Sequence, residues 1–246
     1  MIRRRSSHLL LPSRRLLLGA APTLLLPRKA SAWLIGGATQ PGGILMSHLV
    51  AQDVSGNGMT SSALNITGAT LIVTAMATLS VGPVISDLLG NVYNPILGLN
   101  SSGTHLNYHY SVPTIFGSDT WTVTAGGGNS ALAVAVFRNT KASAPLDQQN
   151  GNTNGGTASV TTGSVTPTTN NQLVIYAATE NGFSSADYPL VANLGTVIEN
   201  VGFTAKAQSM AMGFIVQGTA GAANVTWSWP NLHFGAAVIA TFKPAP

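Results

Sequence analysis

The chain predicts an all-β protein: one antiparallel β-sandwich, jelly-roll-like, built from two pseudo-repeated halves and preceded by an export signal. Three observations carry that prediction. Glu, Lys and Arg, which normally cover solvated helix faces, are scarce after position 30, while Gly, Ala, Ser, Thr, Asn and Val abound. Short apolar or alternating runs lie between clusters of Gly, Asn, Ser and Pro, the punctuation of a sandwich or barrel. A strand pattern from the first half also returns in the second.

The clearest strands are residues 71–79, 121–125, 132–137, 173–178, 211–217, 225–229 and 236–242. Weaker strand patterns cover 44–52, 62–66, 106–112, 159–165 and 195–201. Residues 91–102 and 150–156, rich in Asn and Gly, read as loops. Leu132-Ala133-Val134-Ala135-Val136-Phe137 is apolar at every position, which suits a strand covered on both faces. Its shortness and its Val and Phe favour strand over buried helix.

The repeat is specific. Thr120-Trp121-Thr122-Val123, a Gly-bearing gap and Ala131 to Phe137 are echoed by Thr226-Trp227-Ser228-Trp229, a gap and Ala236 to Phe242, at offsets of 106 and 105. Leu71-Ile72-Val73 is echoed by Leu173-Val174-Ile175 at an offset of 102. Two such halves suit a sandwich of two Greek keys.

Charge is distributed unevenly. Seven of the eleven basic residues precede position 30, and all seven acidic residues follow position 50. Ser13-Arg14-Arg15-Leu16-Leu17-Leu18 resembles the twin-arginine export motif. Leu16 to Leu26 is a modest apolar core, too short for a membrane span. Ala30-Ser31-Ala32 supplies the small-x-small pattern of a signal-peptidase site. The expectation is a signal peptide over 1–32 and a single sandwich domain over 33–246, delivered to the periplasm or the medium. That domain keeps four basic and seven acidic residues, a formal charge of −3. It therefore has no electrostatic footprint for nucleic acid, no basic cluster for an anionic membrane surface and no later run of transmembrane length. With no cysteine, disulfides and thiolate chemistry are excluded, and 214 residues can bury a sizeable core without them.

The domain also resembles a β-sandwich module of bacterial secreted, surface and phage-associated proteins. The matching residues are Gly68-Ala69-Thr70-Leu71-Ile72-Val73; the turn Ser86-Asp87-Leu88-Leu89-Gly90-Asn91; the strand–turn–strand from Thr120 to Phe137; Leu146-Asp147; Gly163 to Val174; and the closing Phe242-Lys243. Tyr93 stands where the module usually has Trp. The resemblance implies the fold and carries no settled catalytic activity.

Candidate chemistry is sparse. Trp227 and Trp229, two apart on one strand, share a face: exposed, they form a platform for stacking on sugar rings; buried, they are core. Trp121 at the equivalent of Trp227 favours core. Asp87 and Asn91 close a turn and, with backbone carbonyls, are the candidate ligands of a Ca2+ ion, the one cofactor considered. His105 and His109 lie about 13 Å apart along a strand, too far for one metal ion. Asp53, Asp87, Asp119, Asp147, Glu180, Asp187 and Glu199 include no pair whose juxtaposition sequence can assign, and Asp beside Gly, Ser or Asn normally makes turns. Gly126-Gly127-Gly128 reads as a flexible turn. No hydrolase elbow, zinc-helix or phosphate-loop motif occurs. The expected function is a non-catalytic exported module for binding or structure, with a glycan or cell-surface component as partner. The alternative is a polysaccharide-acting hydrolase or lyase on the same fold. A virion structural role is weakened by the export signal.

Overall fold

The computed structural model describes residues 42–53, 58–79, 82–124, 129–182, 188–203 and 208–246. The export motif at Arg14-Arg15, the cleavage pattern at Ala30-Ser31-Ala32, the Gly126–Gly128 turn and Asp187 lie outside them. Among the described residues the elements are all strands, and no helix is long and apolar enough to cross a membrane.

In the first half the strands are β1 (Ile44–Asp53), β2 (Met59–Thr60), β3 (Leu64–Asn65), β4 (Leu71–Thr78), β5 (Val84–Asp87), β6 (Asn94–Ser101), β7 (Thr104–Ser111), β8 (Ser118–Asp119), β9 (Trp121–Thr124) and β10 (Ser130–Arg138). In the second they are β11 (Leu146–Thr153), β12 (Thr157–Thr161), β13 (Gln172–Asn181), β14 (Val191–Ala192), β15 (Thr196–Phe203), β16 (Gln208–Gln217) and β17 (Thr226–Phe242).

Each half contributes one main antiparallel sheet. The orders are β1-β10-β4-β7-β6 and β11-β17-β13-β16-β15. They correspond strand for strand: Phe137 pairs with Leu71 and Leu45, as Phe242 pairs with Leu173 and Leu146. Bulges recur at the same places. One follows Leu45 in β1 and Leu146 in β11; another follows Pro95 in β6 and Val197 in β15. Bulges re-aim a strand, so their recurrence gives both sheets the same shape. The antiparallel sandwich and its two-half plan are thus present, with each half owning a whole sheet.

Inward residues of both sheets form one core: Leu71, Val73, Ala75 and Ala77 of β4 and Ala133, Ala135 and Phe137 of β10 meet Leu173, Ile175 and Ala177 of β13 and Val238, Ala240 and Phe242 of β17. Outward residues of the same strands are also buried. Ile72, Met76, Leu132, Val134 and Val136 lie under Trp121, Val123, Ile66 and Met59. Val174, Tyr176, Ala178, Ala237 and Ile239 lie under Trp227, Trp229, Val160 and Leu190. The covers match as well: β2-β9-β5 over the first sheet, and β12 and β14 flanking the N-terminal part of β17 over the second. Burial on both faces is why β4, β10 and β13 read as unbroken apolar runs.

Two loop expectations are corrected. Residues 91–102 contain β6, and 150–156 contain the end of β11. Both are edge strands of their sheets with mixed exposure, and Asn, Gly and Gln among their few core-facing residues hide the alternation. Ser102 and Gly103, both with positive φ (46° and 88°), make the tight turn that joins β6 to β7. The runs 225–229 and 236–242 fall in one strand, β17, with Gly235 against the Trp229 indole, where an added Cβ would come within 2.5 Å.

Candidate functional site

The tryptophans settle into the core. Trp227 is 0% and Trp229 5% exposed, so neither offers an indole face to a sugar ring, and the stacking-platform expectation is corrected to a packing role. Val225, Trp227 and Trp229 alternate inward against Thr226 and Ser228, as a half-buried strand requires. Trp227 packs edge-on to Tyr176 at 5.7 Å, and the Trp229 Nε1 donates to the Thr157 carbonyl at 3.1 Å. Trp121 is likewise buried, but its Nε1 donates to the Tyr93 hydroxyl.

That bond leads to the most elaborate polar constellation of the first half. Asp87, the last residue of β5, pairs with Trp121 of β9. Asp87 Oδ1 accepts the Asn91 backbone N–H at 2.8 Å, and Oδ2 accepts the Asn91 amide at 3.0 Å and the Tyr93 hydroxyl at 2.9 Å. Gly90, with φ of 79°, supplies the left-handed residue this turn needs. Asn91 in turn accepts the N–H groups of Thr114 and Ile115 through Oδ1. Its carbonyl oxygen thus accepts two N–H groups while its amide donates to Asp87, so Asn91 ties the turn to the 114–115 segment. Among the described residues no three His, Asp or Glu side chains gather as a metal site.

Asp119 joins the pair from β8. It is fully buried, and its Oδ1 accepts the N–H groups of Leu88, Leu89 and Thr120 at 2.9–3.3 Å. Its Oδ2 is buried with no hydrogen-bond donor. Burial, and then the neighbouring Asp87 carboxyl, push the Asp119 carboxyl up from 3.8 to about 6. Tyr93 is pushed far up by burial and the neighbouring Asp87, so it stays a neutral donor.

Above this cluster opens a cleft of about 410 Å3 lined by Ser86, Asp87, Asn91, Tyr93 and His109, with Pro83, Val84 and Val92 at its apolar side. Burial holds the His109 ring below its ordinary pKa, so it is neutral. Large apolar side chains crowd this region unburied: Val84 63%, Leu88 72%, Val92 75%, Ile115 49% and Phe116 48% exposed. His105 and Asn107 share the half-exposed face of β7 with His109, opposite Leu106 and Tyr108, as their alternation implies.

The other carboxylates have structural partners. Asp53 accepts the Gly58 N–H. Asp147 is buried enough to be pulled up, but the N–H and hydroxyl of Thr168, the Gln172 amide and Lys243 outweigh that and hold it low. Two His–carboxylate pairs had no local sequence signal: His48 Nδ1 with Glu199 at 2.6 Å, joining β1 to β15, and buried His233 Nδ1 with Glu180 at 2.7 Å. A second cleft of about 670 Å3 lies by Lys141, Lys243 and the C-terminal Pro244–Pro246.

No family model, no curated protein and no solved structure matches this chain.

Proposed function

We propose that this protein is exported and acts as a non-catalytic binding or structural module that contacts a cell-surface component. The observation that carries the reading is the exposed apolar pair Val84 and Val92 lining the Asp87 cleft, with exposed Leu88 on the adjoining turn and exposed Ile115 and Phe116 on the segment bonded to Asn91. Large exposed apolar clusters mark interaction surfaces in proteins that otherwise bury such residues. Of the eight large apolar side chains exposed among the described residues, these five belong to one region of the first half, while Tyr188, Val191 and Leu232 lie in the second. Export rests on the Arg14-Arg15 motif and the Ala30-Ser31-Ala32 pattern.

The hydrolase or lyase alternative has less support. Glycosidase carboxylates flank the bond with room for sugar or water between them, roughly 5–9.5 Å apart. Asp87 and Asp119 are instead within hydrogen-bonding reach of one another, and Asp119 is buried below the cleft.

The test uses the exported protein purified from its own host. It should co-sediment with that host's cell envelopes, and Leu88→Arg with Val92→Arg should abolish this while leaving the urea midpoint unchanged. Co-sedimentation undiminished in the double variant removes this face, and none by the wild type removes the surface-contact reading. Arg14→Lys with Arg15→Lys should retain the protein inside the cell; unchanged secretion removes the twin-arginine route.

A further inference from the structure

The two halves supply an internal control for the Asp87 cleft. Asp87 pairs with Trp121, and Ala192 pairs with Trp227. Asp119 lies two residues before Trp121, and Val225 two before Trp227. His109 pairs with Pro95 just ahead of the bulge, and Gly213 with Val197 just ahead of its counterpart. Tyr93 precedes Asn94, which pairs with Tyr110; Gly195 precedes Thr196, which pairs with Phe214. The acidic pair, the tyrosine and the histidine of the first half are thus Ala, Val, Gly and Gly in the second. The second half builds the same sheet and the same Trp-bearing cover without them, so the architecture does not require them.

What the cluster lacks is a positive charge. Among the described residues no Lys or Arg lines the cleft. Asp119 is fully buried and its Oδ2, beside the Asp87 carboxyl, meets no donor, a costly state for a carboxylate. A cation held against Asp87 would relieve it. A metal ion suits poorly, because Asn91 turns its amide to Asp87 and, among the described residues, no three His, Asp or Glu gather as a ligand set. The setting also argues for a side chain: exposed Val84 and Val92 line the cleft, exposed Leu88 follows Asp87 in the chain, and the exposed Ile115 is tied by its N–H to Asn91. A charged anchor surrounded by apolar contacts that exclude water is how protein interfaces concentrate their binding energy.

Building on the surface-contact reading, we propose that the Asp87 cleft receives a Lys or Arg side chain of a partner polypeptide, whose apolar neighbours lie on Val84, Leu88, Val92 and Ile115. Asp87 meets the cation at the cleft floor. Asp119 is a positioning residue that holds the Leu88–Leu89 turn and adds negative charge behind Asp87.

The test is selection of random linear peptides displayed on phage against the intact exported protein, alongside an array of neutral and charged glycans. Selected peptides should carry Lys or Arg flanked by apolar residues, and replacing that residue by norleucine should weaken binding at least tenfold. Asp87→Asn should weaken binding at least tenfold; because that variant also alters the turn, Val92→Arg, an exposed change that repels the same cation, should do so with an unchanged urea midpoint. Enrichment of peptides without a basic residue, indifference to Val92→Arg, or no enrichment overturns the inference. Neutral glycans that bind and are lost on Val92→Arg overturn it too, while leaving the surface-contact reading in place.

Discussion

The two halves of this domain share a fold and differ in what they keep polar. Both place a Trp-bearing strand over the outer face of a five-strand sheet, and both bulge at the same registers. In the first half the Trp indole hands its N–H to Tyr93, which passes its own hydrogen to Asp87. In the second the Trp227 N–H is buried without a partner, Tyr176 packs against the ring, and the Tyr176 hydroxyl bonds the Leu194 carbonyl. The covering layer therefore needs a large apolar body at the Trp position; the polar network is an addition carried by one half alone.

The largest effects should be common to both halves. Trp121→Ala and Trp227→Ala should each cost about 3–5 kcal/mol, the range for emptying a buried aromatic site, measured by urea denaturation. A wild-type midpoint for either would break the equivalence. Glu180→Ala should cost a similar 3–5 kcal/mol by removing the carboxylate from its buried pair with His233. That expense would belong to the second half only, since Thr78 pairs across to Ser130 as Glu180 pairs to Gly235.

Intermediate effects should separate the halves. Asp119→Val, which copies Val225, takes the carboxylate acceptor from the N–H groups of Leu89 and Thr120, while Leu88 keeps the Thr120 carbonyl, and should cost about 1–3 kcal/mol. Its pH dependence has a definite sign. The folded Asp119 carboxyl titrates near 6 against an ordinary 3.8, so the folded protein holds this proton more tightly. The resulting stabilisation is complete below about 3.8 and disappears as pH rises through about 6. Between pH 4.5 and 7.5 the wild-type urea midpoint should fall on this account, and Asp119→Asn should remove that part of the fall. An equal fall in Asp119→Asn would mean that the carboxyl is not the group responsible.

Smaller differences refine the comparison. Trp121→Phe loses a hydrogen bond that Trp227→Phe does not, so it should be the costlier by roughly 0.5–1.5 kcal/mol. The reverse order would show that the Trp121–Tyr93 bond contributes nothing. His48→Ala should cost less than about 1 kcal/mol, because His48 is partly exposed and its bond to Glu199 is solvated.

Much of this was legible in the chain because the signals are local. Apolar runs between turn residues located β4, β10, β13 and most of β16, and the alternation of Trp with Thr and Ser marked which face of β9 and β17 turns inward. The echo of Trp121 to Phe137 in Trp227 to Phe242 revealed the repeat, since equal packing problems were solved with equal residues. The edge strands β6 and β11 carry a weaker signal: Ile96, Leu97, Leu99 and Leu146 reach the core, but Asn, Gly, Gln and Pro between them break any regular alternation.

The sequence by itself determined that the chain is all strand, that it is doubled and that Asp87 makes a turn. Only the tertiary structure decided which polar groups meet. Asp87 and Asp119 come from strands separated by the whole β6–β7 hairpin, His48 and Glu199 from opposite halves, and His233 and Glu180 from strands paired across a long excursion. Strand pairing sets such meetings, and pairing is governed by how two apolar faces bury one another, which leaves no mark on the short sequence around either partner.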